Sequence, residues 1–357
     1  MVGAGAFGAW TAWHARRAGA SVLLLDAWGP GHSRSSSGGE SRIIRMGYGS
    51  DEIYTRMAMR SLELWREFFP ALFIPTGVLW ASREDHPYSV ATRATLARAG
   101  VKHEILSAAE MAARYPQMRW SEPRTFGIFE PESGALLARR AVAAVVEDAV
   151  RRGAAFEVRQ VSEPPDAETV VYACGPWLPK IFPELLGDRI FPTRQEVFFF
   201  AAPAGDRRFA PPALPAWIDF TDPRGPYGVP DVENRGFKLA LDQHGPAFDP
   251  DTGDRRVGAE GLAEARRFLA ERFPDLRDAP LAESRVCQYE NTSNGDFLID
   301  RHPEMTNVWL VGGGSGHGFK HGPAVGEYLC GRILGSREAQ PRFSIEAKTR
   351  TQARTVY

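Results

Sequence analysis

Gly3-Ala4-Gly5-Ala6-Phe7-Gly8, then an alanine-rich periodic stretch to Ala18, Gly19, and Ser21-Val22-Leu23-Leu24-Leu25-Asp26 limit the fold more than any other stretch of this sequence. The order is strand, glycine turn, helix, strand, acid. Gly3 permits the tight turn, Gly5 lets the backbone approach a pyrophosphate, and Gly8 allows the helix to pack closely. The first amides of the helix, including those of Ala6 and Phe7, are free to bind an anion. Asp26 stands where a carboxylate accepts the ribose hydroxyls of an adenosine. A glycine turn serving packing alone would not require all of these to agree, so the segment reads as a dinucleotide-binding βαβ unit. Met1 and Val2 alone precede the turn. The central strand is therefore expected to be short, and cofactor retention weaker than in a version with an added upstream strand.

The residues after Asp26 separate two kinds of dinucleotide. A nicotinamide enzyme would continue with regular βα units; here Gly29-Pro30-Gly31 and Ser35-Ser36-Ser37-Gly38-Gly39 follow, then Ser41-Arg42-Ile43-Ile44-Arg45 and Tyr48-Gly49. Small hydroxyl and glycine residues such as Ser36 suit a backbone lying against a large planar ligand and its phosphates. Arg42 and Arg45, three apart, are expected to share one face of a helical turn.

Periodicity further along predicts helices near 53–69, 88–99, 107–115, 136–152 and 323–334, and strands near 77–81, 102–106, 155–161, 169–173, 195–200, 236–241 and 308–312. The fold class is α/β (α+β): a discontinuous Rossmann-like dinucleotide domain (1–72, 133–188 and 286–357) interrupted by a mixed-sheet substrate domain (73–132 and 189–285). With 43 basic and 44 acidic residues among 357, the net charge of -1 supplies no field for steering onto nucleic acid or an anionic membrane. No apolar run is long enough to span a bilayer. Cys174, Cys287 and Cys330 are too scattered for a disulfide framework or a zinc site, so no metal is expected and a cytoplasmic location fits best. Residues 354–357 carry no peroxisomal or retention address. Ser315 is followed by Gly316-His317 and makes no nucleophile elbow, which argues against a serine hydrolase.

These motifs and others in order along the chain resemble a family. Thr76-Gly77-Val78-Leu79, Phe129-Glu130-Pro131-Glu132-Ser133-Gly134, Ala173-Cys174-Gly175-Pro176-Trp177, Tyr227-Gly228-Val229-Pro230, Phe237-Lys238-Leu239, Cys287, Phe297-Leu298-Ile299-Asp300 and Ser315-Gly316-His317-Gly318-Phe319-Lys320 resemble the flavin-dependent amine oxidases of the D-amino-acid-oxidase superfamily, in particular its sarcosine oxidase and N-methyltryptophan oxidase group. The resemblance implies FAD, joined to the protein by a thioether from Cys287 to the ring's 8α carbon; a thiol near basic residues suits that role. It implies that Arg45 and Lys320 clamp a substrate carboxylate, which a guanidinium grips bidentately. It places Lys238 near flavin N5, where a cation about 5 Å from developing superoxide is worth roughly 3 kcal/mol at an effective dielectric near 20. Tyr227 lines the substrate pocket in the same scheme. Gly316, His317, Gly318 and Lys320 approach the flavin, while Cys174 and Cys330 act as small hydrophobes.

One departure bears on substrate. Where sarcosine oxidases have a histidine four residues after the lysine, this chain has Asp242, with His244 displaced by two. The implied activity is oxidation of a secondary or N-substituted amino acid with a free carboxylate, dioxygen being reduced to peroxide. The alternative is a flavin dehydrogenase that uses another acceptor.

Overall fold

Leu23–Asp26 and Ala155–Val158 pair in parallel; Val170–Tyr172 runs parallel to Val308–Gly312, which pairs antiparallel with Leu298–Arg301. Val170–Tyr172 and Val308–Gly312 are apolar and buried throughout, as strands covered on both faces are, whereas Ala155–Val158 is largely exposed. Val2 joins the two halves by bridging Leu25 and Tyr172. Its N–H donates to the Val171 carbonyl at 2.8 Å, its carbonyl accepts from Ala173 at 2.7 Å, and Gly3 N–H donates to Leu25 at 2.7 Å. The short central strand expected from the sequence is thus reduced to isolated bridges. This computed structural model describes residues 1–122 and 124–353; residues 354–357, considered above for an address signal, lie outside them.

Gly3 has φ 99°, and a Cβ there would come 2.4 Å from the Ala173 carbonyl oxygen. A Cβ on Gly8 would meet the Gly3 carbonyl oxygen at 1.9 Å. Both positions exclude side chains, which is how the helix Ala6–Arg17 sits directly on the turn. That helix is buried from Ala6 to Trp13. Trp10 meets Trp13, Trp65 and Phe69 edge to face, with centroids 4.9–5.4 Å apart, each such side chain contributing about 1.5–3 kcal/mol on burial. The interrupting segments form a sheet of eight strands ordered Leu281–Asn291, Phe191–Phe200, Phe237–Leu241, Pro226–Val229, Ala216–Asp219, Val78–Arg83, Thr125–Glu130 and Glu104–Ser107. Ala216–Asp219 and Val78–Arg83 are its parallel pair.

One sequence expectation is corrected. Arg42–Ile44 is not a helical turn but a strand, paired antiparallel with Gly134–Leu136. Branched Ile43 and Ile44 pack well on a pleated surface. A strand sends residues an odd number apart to opposite faces, so Arg42 and Arg45 diverge: Arg42 reaches toward Cys287 and Arg45 turns onto Tyr48 and Trp80. The strand Leu281–Asn291 crosses the expected domain boundary at 285/286 and delivers Cys287, Tyr289 and Glu290 to the parallel layer.

The helix Ala259–Arg272 covers the large sheet, Phe268 stacking on Trp217 with centroids 5.5 Å apart. Its last residue, Arg272, is 5 % exposed and donates to Asp219 and Glu122, both at 2.9 Å. Removing one member of a buried ion pair strands the other charge. Arg272→Ala is therefore expected to lower unfolding stability by about 3–5 kcal/mol, read from chemical denaturation; a loss below about 1 kcal/mol would mean that solvent reaches the pair.

Candidate active site

A cavity of about 400 Å³ opens where the glycine turn, the serine loop and the strand Leu281–Asn291 meet. Gly3, Gly5, Ala6, Phe7, Asp26, Ser36, Arg42, Cys287, Gly316 and Gly318 all line it. The sequence therefore brought ten of its cofactor residues to one cavity. Gly8 lies beneath the turn. His317 turns inward, its Nε2 2.9 Å from the Gly295 carbonyl and its ring stacked on Phe297.

The lining runs from the glycine turn and serine loop to Cys287 and Tyr289. At the glycine turn, the helix Ala6–Arg17 carries no acid in its opening turn and no side-chain cap on its N-cap residue, and Ala6 N–H donates to Ser37 Oγ at 3.0 Å. Ser36 Oγ is buried with no hydrogen-bond partner among the described residues. Asp26 is more occupied than the sequence implied: Oδ2 accepts Ala4 N–H at 2.7 Å, and Oδ1 accepts Trp28 and Gly29 at 2.9 and 2.8 Å. It braces the turn as well as facing the cavity.

At the other end Arg42 donates to the Ser36 and Ser41 carbonyls and lies 3.6 Å from Cys287 Sγ. Tyr289 donates to Asp242 at 2.9 Å, and its hydroxyl is 3.5 Å from that of Tyr227. Burial, with Asp242 nearby, pushes the Tyr227 phenol up to about 12. Lys238 is 2 % exposed and donates to the Ser41 carbonyl at 2.8 Å, its Nζ 5.7 Å from the Tyr227 ring. Burial, and then the Arg42 charge, hold its ammonium well below the usual lysine value. Lys238 faces a second, smaller cavity beside Ser41 and Gly236.

Arg45 and Lys320 meet at Tyr48. The Arg45 guanidinium lies 4.6 Å from the Tyr48 ring and 4.4 Å from Trp80; Lys320 Nζ donates to Tyr48 Oη at 2.8 Å and to the His317 carbonyl at 3.0 Å. Burial and the charge of Lys320 hold His321, which contacts the same hydroxyl, well below its ordinary pKa. Glu130 fixes this corner. Its carboxylate accepts Met46 and Gly47 N–H, the Trp80 indole and the Ser133 hydroxyl at 2.6–3.1 Å. Arg45, Lys320, Lys238 and Tyr227 do not line the large cavity: Tyr227 approaches it through Tyr289 and Lys320 follows Phe319, whereas Arg45 lies deeper, among Gly47, Tyr48 and Trp80, and Lys238 lines the smaller cavity. The sequence reading missed Tyr48, Tyr289 and Glu290. Tyr289 had a usable signal, since it lies two residues from Cys287 on the same strand face.

A family model described as FAD dependent oxidoreductase, DAO, matches residues 1–332. The chain belongs to this family. It is 32% identical to the monomeric sarcosine oxidase of Bacillus sp. (strain B-0618), covering 92% of this chain and 90% of that protein. To the N-methyl-L-tryptophan oxidase of Citrobacter koseri it is 28% identical, covering 95% of each. A crystal structure of L-proline dehydrogenase from P.horikoshii superposes with a TM-score of 0.83 at 20% identity, covering 96% of this chain and 95% of that one. As an FAD-dependent oxidoreductase of this family, the protein uses FAD, and the large cavity fits it: a helix N-terminus without an acid in its first turn and the unpartnered Ser36 hydroxyl suit its phosphates. Gly5 has only Ser37 Oγ, at 3.5 Å, near its would-be Cβ. Among the described residues no cluster of His, Cys, Asp and Glu is arranged for a metal, and no helix is long and apolar enough to cross a membrane.

Because four donors converge on Glu130, Glu130→Ala is expected to cost about 3 kcal/mol or more of stability, each stranded buried group counting for about 1–3 kcal/mol. Urea denaturation measures it, and an unchanged midpoint would mean that the donors find other partners.

Proposed function

We propose that this FAD-dependent oxidoreductase is an oxidase of secondary or N-substituted amino acids, converting the C–N bond to an imine and dioxygen to hydrogen peroxide. The observation that carries the reading is the junction of Arg45 and Lys320 at Tyr48. Two buried cations from opposite ends of the chain meet at one phenol, beside Gly316 and Phe319 in the cofactor cavity. Such a pair binds a carboxylate and orients the amine that it carries. The names of the sarcosine and N-methyltryptophan oxidases support the same substrate class.

When bound, FAD takes a hydride equivalent from the carbon beside nitrogen and passes two electrons to dioxygen. Arg45 and Lys320 hold the substrate's carboxylate, and Trp80 and Tyr48 keep the guanidinium in place. Tyr227 and Tyr289 shape the amine side. Asp242, linked to Tyr289, favours a substrate with a hydrogen-bond donor on its substituent. Lys238, when protonated, stabilises the negative charge that grows on oxygen. Cys287 completes the assignment: its sulfur would hold the flavin covalently through the ring's 8α carbon, dioxygen accepting the two electrons that forming this thioether would release. Gly3, Gly5, Ala6, Phe7, Asp26, Ser36, Arg42, Gly316 and Gly318 hold the cofactor, with Gly8 shaping the turn and His317 buttressing the loop from behind. The domain division at 1–72, 133–188 and 286–357 against 73–132 and 189–285 belongs to this reading, as does a cytoplasmic location, which suits three free thiols.

Peroxide release on a panel of N-methyl and cyclic amino acids tests the activity, and colour that stays with the denatured polypeptide tests Cys287. Lys238→Met is expected to slow flavin reoxidation by about two orders of magnitude while anaerobic reduction by substrate changes little. The protonated amine is the effective form and its pKa is depressed. Reoxidation of the unsubstituted enzyme should therefore fall as pH rises through a value below the usual lysine range, whereas the variant responds weakly. Equal reoxidation rates in the two proteins would reject the role of Lys238.

A further inference from the structure

The strand Leu281–Asn291 brings to the cofactor cavity a carboxyl group that the chemistry above leaves unused. Glu290 lines the cavity and is 8 % exposed. Its Oε1 accepts the Gly314 N–H at 3.2 Å, whereas Oε2 is buried with no hydrogen-bond partner among the described residues. Burial pushes the acid up to about 7, opposed by the amides of Gly314 and Gly313. Glycines surround it. A Cβ at Gly312 would come 3.2 Å from Oε2, and one at Gly175 3.7 Å from it. An unsatisfied buried acceptor costs about 1–3 kcal/mol, so packing alone does not account for a glutamate here. A half-satisfied carboxyl facing a ligand cavity implies a donor on the ligand.

Position along the cavity identifies that donor. Cys287, at the ring end, precedes Glu290 by three residues, about 10 Å of extended strand. On the other side Gly314 abuts Gly318, whose Cβ would come 2.9 Å from Phe7 at the start of the phosphate-facing helix. Glu290 therefore lies between the part of the cavity suited to the ring and the part suited to the pyrophosphate. FAD spans that interval with its ribityl chain, a run of hydroxyl donors, and a carboxylate is drawn to a hydroxyl and repelled by a phosphate. We infer that Glu290 is a cofactor-binding residue whose Oε2 accepts a hydrogen bond from a ribityl hydroxyl of FAD. This rests on the assignment of the large cavity to FAD and is independent of the substrate.

The test is reversible flavin binding to the full-length Cys287→Ser apoprotein, followed by flavin fluorescence, alone and combined with Glu290→Leu or Glu290→Gln. FAD is compared with three analogues lacking the 2′-, 3′- or 4′-hydroxyl of the ribityl chain. Glu290→Leu should weaken FAD binding about ten- to a hundredfold. One deoxy analogue should show a similar loss on the Cys287→Ser protein and no further loss when Glu290→Leu is added. Glu290→Gln keeps an acceptor oxygen, so it should lose less with the same analogue preference, and it decides the matter if the leucine variant does not fold. Undiminished FAD binding in both variants overturns the inference. So does a penalty that persists undiminished with every analogue, which would assign the carboxyl to the phosphates instead. If the Cys287→Ser protein binds riboflavin and FAD equally poorly at high concentration, the cavity assignment itself fails and the inference falls with it.

Discussion

Three backbone hydrogen bonds made by Val2 and Gly3 hold the cofactor half of this protein together. Through them the strands Leu23–Asp26 and Val170–Tyr172, far apart in sequence, become neighbours in one layer. The glycine turn sits on that junction, and the helix Ala6–Arg17 starts from it with Ala6 and Phe7 at the cavity wall and the Ala6 amide donating to Ser37. The tolerance is small: side chains at Gly3 or Gly8 would collide with backbone carbonyls. Everything on the phosphate side of the cavity inherits its position from this junction.

The cations proposed for the site are held differently from the fold's. Arg272 is buried between the carboxylates of Asp219 and Glu122, and its purpose is structural. Lys238 has no ion-pair partner among the described residues and rests on the Ser41 carbonyl. Lys320 is held by a phenol and a carbonyl, and Arg45 lies between two aromatic faces. Contacts of this kind fix the direction in which a charge points, and a charge acts strongly where water is excluded. Glu130 fixes the same corner, its oxygens taken up by amides, an indole and a hydroxyl.

Much of this was legible in the sequence where local chemistry is decisive. The spacing of Gly3, Gly5 and Gly8 and the acid at Asp26 define the turn by sterics alone, and the amphipathic helix Glu52–Phe68 appears within a residue of its expected ends. Arg42 was misread because three-residue spacing suits a helix, whereas pairing with Gly134–Leu136, ninety residues away in the chain, decides for a strand. The strand Leu281–Asn291 was hidden by its many polar residues, some of which face a cavity that the rest of the fold creates. Glu290 gives no local signal, and Tyr48, although quoted with Gly49 among the motifs, shows nothing locally of the role it takes in the fold. Each is a polar side chain with a decisive partner more than twenty residues distant, Gly314 for the former and Lys320 for the latter.

The cavity wall draws on the glycine turn, the serine loop, Cys174 to Trp177, the end of a long strand and the loop at Gly316 to Phe319. During synthesis the cradle has no complete form until nearly the whole polypeptide has emerged, so flavin loading is a late event that follows assembly of both layers. Cells short of riboflavin would then accumulate a finished but colourless chain whose resistance to unfolding lacks the increment that ligand binding adds.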